Sequence, residues 1–342
     1  MAHELDFTKG RAAIAFRGEV PWHGYGVSMR PGMTPDEWRQ AAGLDFEVYT
    51  RPVFYGIEKD GKRLPVAIPD RQALLRDDTD GFLSIVSKDY KIHQPSKIFQ
   101  FFTDLADHLD IQLEVCGALD GGRKIWALGR IGDSCTILGQ DTINPYVLMA
   151  TSFDGTLSTT AMYTSVRVVC QNTLGFSGAF DAAGDRSDVY KVRHNQEFVI
   201  RDAHGKLGLD EAAWLEYKRN MENLARFQVS PEQALEYFYT VAGQADAIER
   251  NEENGEIIAF PEPGRVVKQF INAYHNGPGA NLASAKGTMF GALNAVTFYQ
   301  DHLAPAGDRG KRFNSATFGG GNVRKQHAVN LALAKFEEAV AA

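Results

Sequence analysis

The sequence predicts an α+β protein: an N-terminal antiparallel sheet with hairpins and one or two packed helices, followed by a helical C-terminal half. Three observations carry this. Short runs of alternating apolar and polar residues fill 46–92, and strand-like runs resume at 111–131 and 146–166. Asp-Gly pairs punctuate them at Asp60-Gly61, Asp80-Gly81 and Asp154-Gly155. From about residue 196 the apolar spacing turns helical. Strands first and helices second divide the chain into an irregular segment with one short helix (1–45), a mixed β-rich domain (46–195) and a helical region (196–342).

Each element has a local reason. Thr34, Pro35 and Glu37 form a capping box with proline at the first helical position, and Gly43 ends that helix. Strands are expected over 46–55, 64–68 and 82–87. Ile98, Phe101, Phe102, Leu105 and Leu109 share one face of a helix over 95–109. Strands resume at 111–118 and 124–131, joined by Asp120-Gly121-Gly122. Asp154-Gly155, between the apolar run 146–153 and the Ser/Thr-rich run 156–166, reads as a tight primed turn, because both residue types tolerate positive φ. Ser165 is expected to cap a short helix running to about Leu174. Helices follow at 210–227, from Ser230 with Pro231 and Gln233 as a second capping signature, and at 263–274, 286–303 and 322–341. The acidic stretch 246–256 reads as an exposed loop, and so does 304–321.

Composition narrows the functions. Hydrophobic residues at 44% and charged residues at 23% give ample core, so no disulfide or metal is needed for folding. Cys116, Cys135 and Cys170 form no Cys-x-x-Cys pair, which points to a reducing compartment. The first residues carry no basic segment followed by an apolar core, so no signal peptide is expected, and no apolar run spans a membrane. A cytoplasmic protein is the expectation. The net charge of −7 means that any nucleic-acid contact must rest on a local patch.

That patch is sought at 309–325. Arg309, Lys311, Arg312, Arg324 and Lys325 stand there without an acidic residue, with Phe313 and Phe318 among them, and Gly319-Gly320-Gly321 leads into the last helix. Cations neutralise phosphates, aromatic rings stack on bases, and a glycine-rich helix start admits an anion. Arg167, a cation in an apolar segment, needs a partner: Asp154 or a phosphate. Gly307-Asp-Arg-Gly-Lys-Arg312 is not a P-loop, since Pro305 and Arg312 occupy positions requiring Gly and Ser/Thr. Cys170 lies among apolar residues with no histidine at a readable spacing. Asp104, Asp107 and Asp110 lie on the polar side of their helix. The nine histidines form no metal motif. No cofactor, metal or catalytic constellation is expected.

The segments Met1-Ala-His-Glu-Leu5, Gly18-Glu-x-Pro-Trp-His-Gly24, Ser152-Phe-Asp-Gly-Thr156, Arg167-Val-Val-Cys-Gln-Asn-Thr-Leu174, Gly287-Thr-Met-Phe-Gly-Ala-Leu-Asn-Ala-Val296 and Phe318-Gly-Gly-Gly321 together resemble the phage/plasmid-like family built on a domain of unknown function. The resemblance implies a gene carried by phages or plasmids and a bacterial cytoplasm, and it carries no activity over. Members commonly have His where this chain has Phe153, so no chemical role passes to that position. Genes of this kind often serve replication, recombination or evasion of host defence. The expected function is therefore single-stranded DNA binding by a self-assembling protein, without catalysis, in the manner of strand annealing. The alternative is a module that blocks a host protein through an acidic surface including Glu249, Glu252, Glu253 and Glu256. An enzyme acting on a phosphorylated small molecule at the glycine-rich helix start is a third reading.

Overall fold

Strand-forming runs do fill the first half and helices the second in the computed structural model, which describes residues 6–18, 25–106, 111–167, 172–174, 189–207, 211–307 and 309–341. In chain order the elements are β1 (Ile14–Phe16), β2 (Val27–Ser28), α1 (Pro35–Ala41), β3 (Val48–Lys59), β4 (Lys62–Arg76), β5 (Phe82–Ser87), α2 (Pro95–Ala106), β6 (Ile111–Leu119), β7 (Lys124–Ile131), β8 (Cys135–Ile137), β9 (Asp141–Ser152), β10 (Thr159–Arg167), β11 (Asn172–Leu174) and β12 (Val189–Val192). Then come α3 (Ile200–Leu207), α4 (Glu211–Arg226), α5 (Pro231–Val241), β13 (Glu249–Arg250), β14 (Ile257–Ala259), α6 (Arg265–Asn276), α7 (Met289–Phe298), a π-helical turn at Tyr299–Leu303, α8 (Arg309–Phe318) and α9 (Gly320–Ala341).

The described residues pack into two units. The first draws on Met1–Gly132, Tyr146–Tyr163 and Gly178–Leu209, the second on Asp133–Pro145, Thr164–Ser177 and Asp210–Ala342. In the first unit β10, β9, β7, β6, β1 and β2 are neighbours in that order, and β12 pairs with β10. Helix α2 buries Ile98, Phe99, Phe101, Phe102 and Leu105, and it packs on β6 and β7. Gly129 of β7 makes room: a Cβ there would lie 2.8 Å from the Phe102 ring. β3, β4 and β5 form a separate antiparallel sheet. Where β4 ends, Arg76 is 1% exposed, paired with Asp6 and Asp78 and stacked 4.0 Å above the Phe46 ring, so its buried charge is compensated.

In the second unit β8 pairs with the start of β9 and β11 with the end of β10. The helices enclose Tyr237, Phe238, Phe270, Leu293 and Val296, and the Tyr237 hydroxyl donates to the Ala328 carbonyl at 2.9 Å. Gly291 is forced by packing, since a Cβ would meet the Ala285 oxygen at 1.9 Å.

Both capping boxes form as expected, Thr34 with Glu37 and Ser230 with Gln233. Three local expectations are corrected. Ser165 caps no helix: β10 runs through it to Arg167, in keeping with the strand preference of its β-branched residues. Residues 304–321 are not a loop throughout, because α8 occupies Arg309–Phe318. Asp154-Gly155 is not a two-residue primed turn. Only Gly155 has positive φ, and the Asp154 carboxylate accepts from the Thr156 amide at 2.9 Å within a longer connection between β9 and β10. Part of the acidic stretch 246–256 forms one strand of the β13–β14 hairpin. His23, Asp107, Asp110 and Cys170 lie outside the described residues.

Candidate nucleic-acid interface

β3 and β4 run for 12 and 15 residues, longer than the body of the unit needs. Of β3 only Val48 is buried, and of β4 only Leu74 and Arg76. The hairpin is therefore an arm, reaching about 25 Å over residues 52–59 at the usual strand rise. Asp60 (φ 52°) and Gly61 (φ 71°) close it as a two-residue turn with both residues left-handed. A register break divides the arm: Pro52 opposes Gln72 while Phe54 opposes Ala67. Pro52 and Pro65 remove ladder donors along it, which discourages pairing with another strand edge.

The faces of the arm are what it offers. Cross-strand partners share a face, so the register places Tyr55 with Val66, Ile57 with Leu64 and Lys59 with Lys62 on one side. Phe54 with Ala67, Gly56 with Pro65 and Glu58 with Arg63 take the other. Phe54 is 54% exposed and Tyr55 52%. Arg51 lies 4.5 Å over the Tyr49 ring, and the Arg63 side chain lies over Gly56. Lys59 directly opposite Lys62 is locally unfavourable, as like charges in a cross-strand pair repel. An anion on that face would reverse the sign. Over 49–72 five exposed cations (Arg51, Lys59, Lys62, Arg63, Arg71) stand against three carboxylates (Glu58, Asp60, Asp70), in a chain whose total is −7.

The expected basic segment is divided by the fold. Lys311 and Arg324 are exposed. Arg312 is half-buried, its Nε donating to the Ala304 carbonyl at 2.8 Å. Lys325 does not face solvent: it is 1% exposed, with its ammonium 2.7 Å from Asp301 on the π-helical turn. Gly321 serves packing between α8 and α9, since a Cβ would stand 2.9 Å from the Ser315 oxygen. Gly320 is exposed, Gly319 and Phe318 half-buried. Arg309 and Phe313 lie on α8 and Arg167 ends β10, their side chains outside the described set.

A polar cluster that the sequence did not signal lies inside the first unit. His93 and His194 are 2% and 8% exposed, their rings stacked 4.5 Å apart, and Tyr90 stacks on His194 at 4.5 Å. His93 Nε2 faces the Gln196 carbonyl at 2.9 Å and so donates, which leaves Nδ1 to accept from Thr159 Oγ1 at 2.6 Å. Thr151 Oγ1 is 2.6 Å from Thr159 Oγ1. His194 Nδ1 faces the Lys91 carbonyl at 3.0 Å and Nε2 the Leu157 carbonyl at 3.2 Å. Burial holds both histidines below their ordinary pKa and raises that of the Tyr90 phenol. The cluster ties the β9–β10 connection to the segments around Lys91 and Gln196. Among the described residues no His, Cys, Asp and Glu side chains gather as a metal site.

The fold and site define an α+β protein with a basic, aromatic β-arm. The chain matches the domain of unknown function DUF932 over residues 82–335 and belongs to that family. No curated protein and no solved structure matches it. The arm precedes the matched region.

Proposed function

We propose that this protein binds single-stranded DNA through the β3–β4 arm, as a non-catalytic participant in replication or recombination of a phage or plasmid in the bacterial cytoplasm. The observation that carries the reading is the arm itself: exposed Tyr55 and Phe54 interleaved with Arg51, Lys59, Lys62, Arg63 and Arg71, with Lys59 and Lys62 forced opposite each other. Stacking on rings with phosphate neutralisation is how strands without duplex structure are held. Lys311 and Arg324 are further exposed cations, on the second unit. Phosphate contact no longer includes Lys325, whose charge is held by Asp301. Titrating a labelled single strand from low to physiological salt tests the reading. Affinity falling log-linearly with salt supports it, and no binding at low salt refutes it.

A second reading rests on the β13–β14 hairpin, where Glu249, Glu252, Glu253 and Glu256 are exposed and Ile258 is 61% exposed. That surface suits a basic host protein. A stoichiometric partner recovered from host lysate and surviving nuclease treatment, with no strand binding, would favour it.

A further inference from the structure

The three-stranded sheet at the root of the arm has one buried side and one open side. Val48, Leu74 and Val86 are buried on the first, and Leu83, the extra residue of a bulge in β5, is buried as well. On the open side the register makes two cross-strand rows, Tyr49–Leu75–Phe82 and Arg51–Ala73–Ile85. Phe82 is 54% exposed and Ile85 52%. Arg71, opposite Ser87, adds a further row on the same side. This side runs on into the arm. Across the register break five residue steps of β4 answer two of β3, so the extra residues lie on β4 and β3 keeps its alternation. Tyr55, Ile57 and Lys59 therefore continue the side that Tyr49 and Arg51 begin, over about 33 Å from Tyr49 to Lys59 at the usual strand rise.

Charge sorts with the sides. The open side carries Arg51, Lys59, Lys62 and Arg71, and none of its strand positions is a carboxylate. Glu58 stands opposite Arg63 on the other side of the arm. Asp70, within the register break, lies 3.6 Å from Lys88, and Asp80, in the β4–β5 turn, accepts from the Tyr49 hydroxyl at 2.6 Å. Along the open side ring and cation alternate: the row of Arg51 falls between those of Phe82 and Tyr55, and Lys59 with Lys62 follows beyond. A face of this kind fits an occupant that is anionic and offers flat apolar groups. A second copy laid face to face would set these cations against the same cations, which is repulsive. Phosphates and unstacked bases supply both complements.

We infer that a bound single strand follows this one side, from the Lys59–Lys62 tip to the root of the arm, where Phe82 of β5 is a second stacking platform beside Tyr55 and Arg71 a further phosphate contact. The inference rests on the DNA reading of the arm, narrows it to one face and extends it onto a strand outside the hairpin.

Fluorescence anisotropy of a labelled oligothymidylate with the full chain tests it. Phe82→Leu keeps apolar bulk without the ring and should weaken binding by roughly 5- to 150-fold, whereas Phe82→Trp keeps a stacking face and should bind as the parent does. Because Phe82 is half in solvent, both variants should unfold near the parent's urea midpoint. Arg71→Ala should shallow the slope of log affinity against log salt by about 0.7. Phe54→Ala, on the opposite side of the arm, should bind like the parent. The inference is overturned if the parent binds and Phe82→Leu matches it, or if Phe54→Ala loses as much as Phe82→Leu. A parent oligomer that Phe82→Leu dissociates in light scattering, with strand affinity unchanged, would make the face an interface between copies instead. Weakened binding in Tyr55→Ala beside full affinity in Phe82→Leu keeps the arm reading and removes only its continuation onto β5. A parent that binds no strand at low salt sinks the arm reading itself, and this inference with it.

Discussion

Lys325→Met separates a structural lysine from a phosphate-binding one. The ammonium is 1% exposed and 2.7 Å from Asp301, whose side chain is 6% exposed. Methionine keeps much of the stem's apolar volume and removes the charge, leaving the Asp301 carboxylate in the interior without its ammonium. Removing one partner of a buried pair costs about 3–5 kcal/mol. At about 2–4 °C per kcal/mol for a unit of this size, the unfolding midpoint should drop by roughly 6–20 °C. Urea unfolding followed by tryptophan fluorescence measures the loss. Lys325→Met/Asp301→Asn removes both charges and should recover a large part of it, giving a coupling energy from the four-way cycle. Lys311→Ala and Arg324→Ala, both exposed, should each stay within about 0.5 kcal/mol of the parent. The reasoning is refuted if Lys325→Met unfolds like the parent, or if it weakens strand binding in a protein of unchanged stability.

Three further outcomes are expected. Burial keeps His93 and His194 below their ordinary pKa, so between that lowered value and about 6.5 the unfolded chain binds more protons than the folded one. Their contribution is therefore complete above about pH 6.5 and lost as pH falls below it; urea midpoints from roughly pH 8 to 5 should fall, and His93→Asn/His194→Gln should flatten that slope. Gly320→Ala meets nothing within 4 Å and should stabilise α9 by up to about 1 kcal/mol, whereas Gly321→Ala drives a Cβ against Ser315 and Ala316 and should destabilise by about 1–3 kcal/mol in the same assay. Burial pushes the Cys135 thiol up to about 11 and the Cys116 thiol higher still, so neither should react with Ellman's reagent near pH 7.5 until the chain unfolds.

Signals confined to a few adjacent residues were legible. Capping boxes at Thr34 and Ser230 depend on side chains three residues apart, and Asp60-Gly61 on the φ preference of two residues. What needed distant partners was not. Arg309–Phe318 carries no apolar stripe in its sequence, so it read as a loop. The run at 165–174 fits either period, and the pairing of Ser165 with Leu174 makes strands of 165–167 and 172–174. The basic residues at 309–325 were visible as composition, but the burial of Lys325 follows from Asp301, 24 positions away. The arm was legible as two strands and missed as a site. Alternating apolar residues ordinarily announce a buried face, and nothing local tells that Phe54 and Tyr55 stay in solvent.

The most direct test of the arm is fluorescence anisotropy with a labelled single strand across a salt series, comparing the parent with Tyr55→Ala and with Lys59→Ala/Lys62→Ala. Loss of one base stack, about 1–3 kcal/mol, should weaken Tyr55→Ala by roughly 5- to 150-fold. Removing two phosphate contacts should shallow the slope of log affinity against log salt by about 1.4. Parent-like affinity and slope in both variants would contradict the assignment of this arm as the DNA-binding surface.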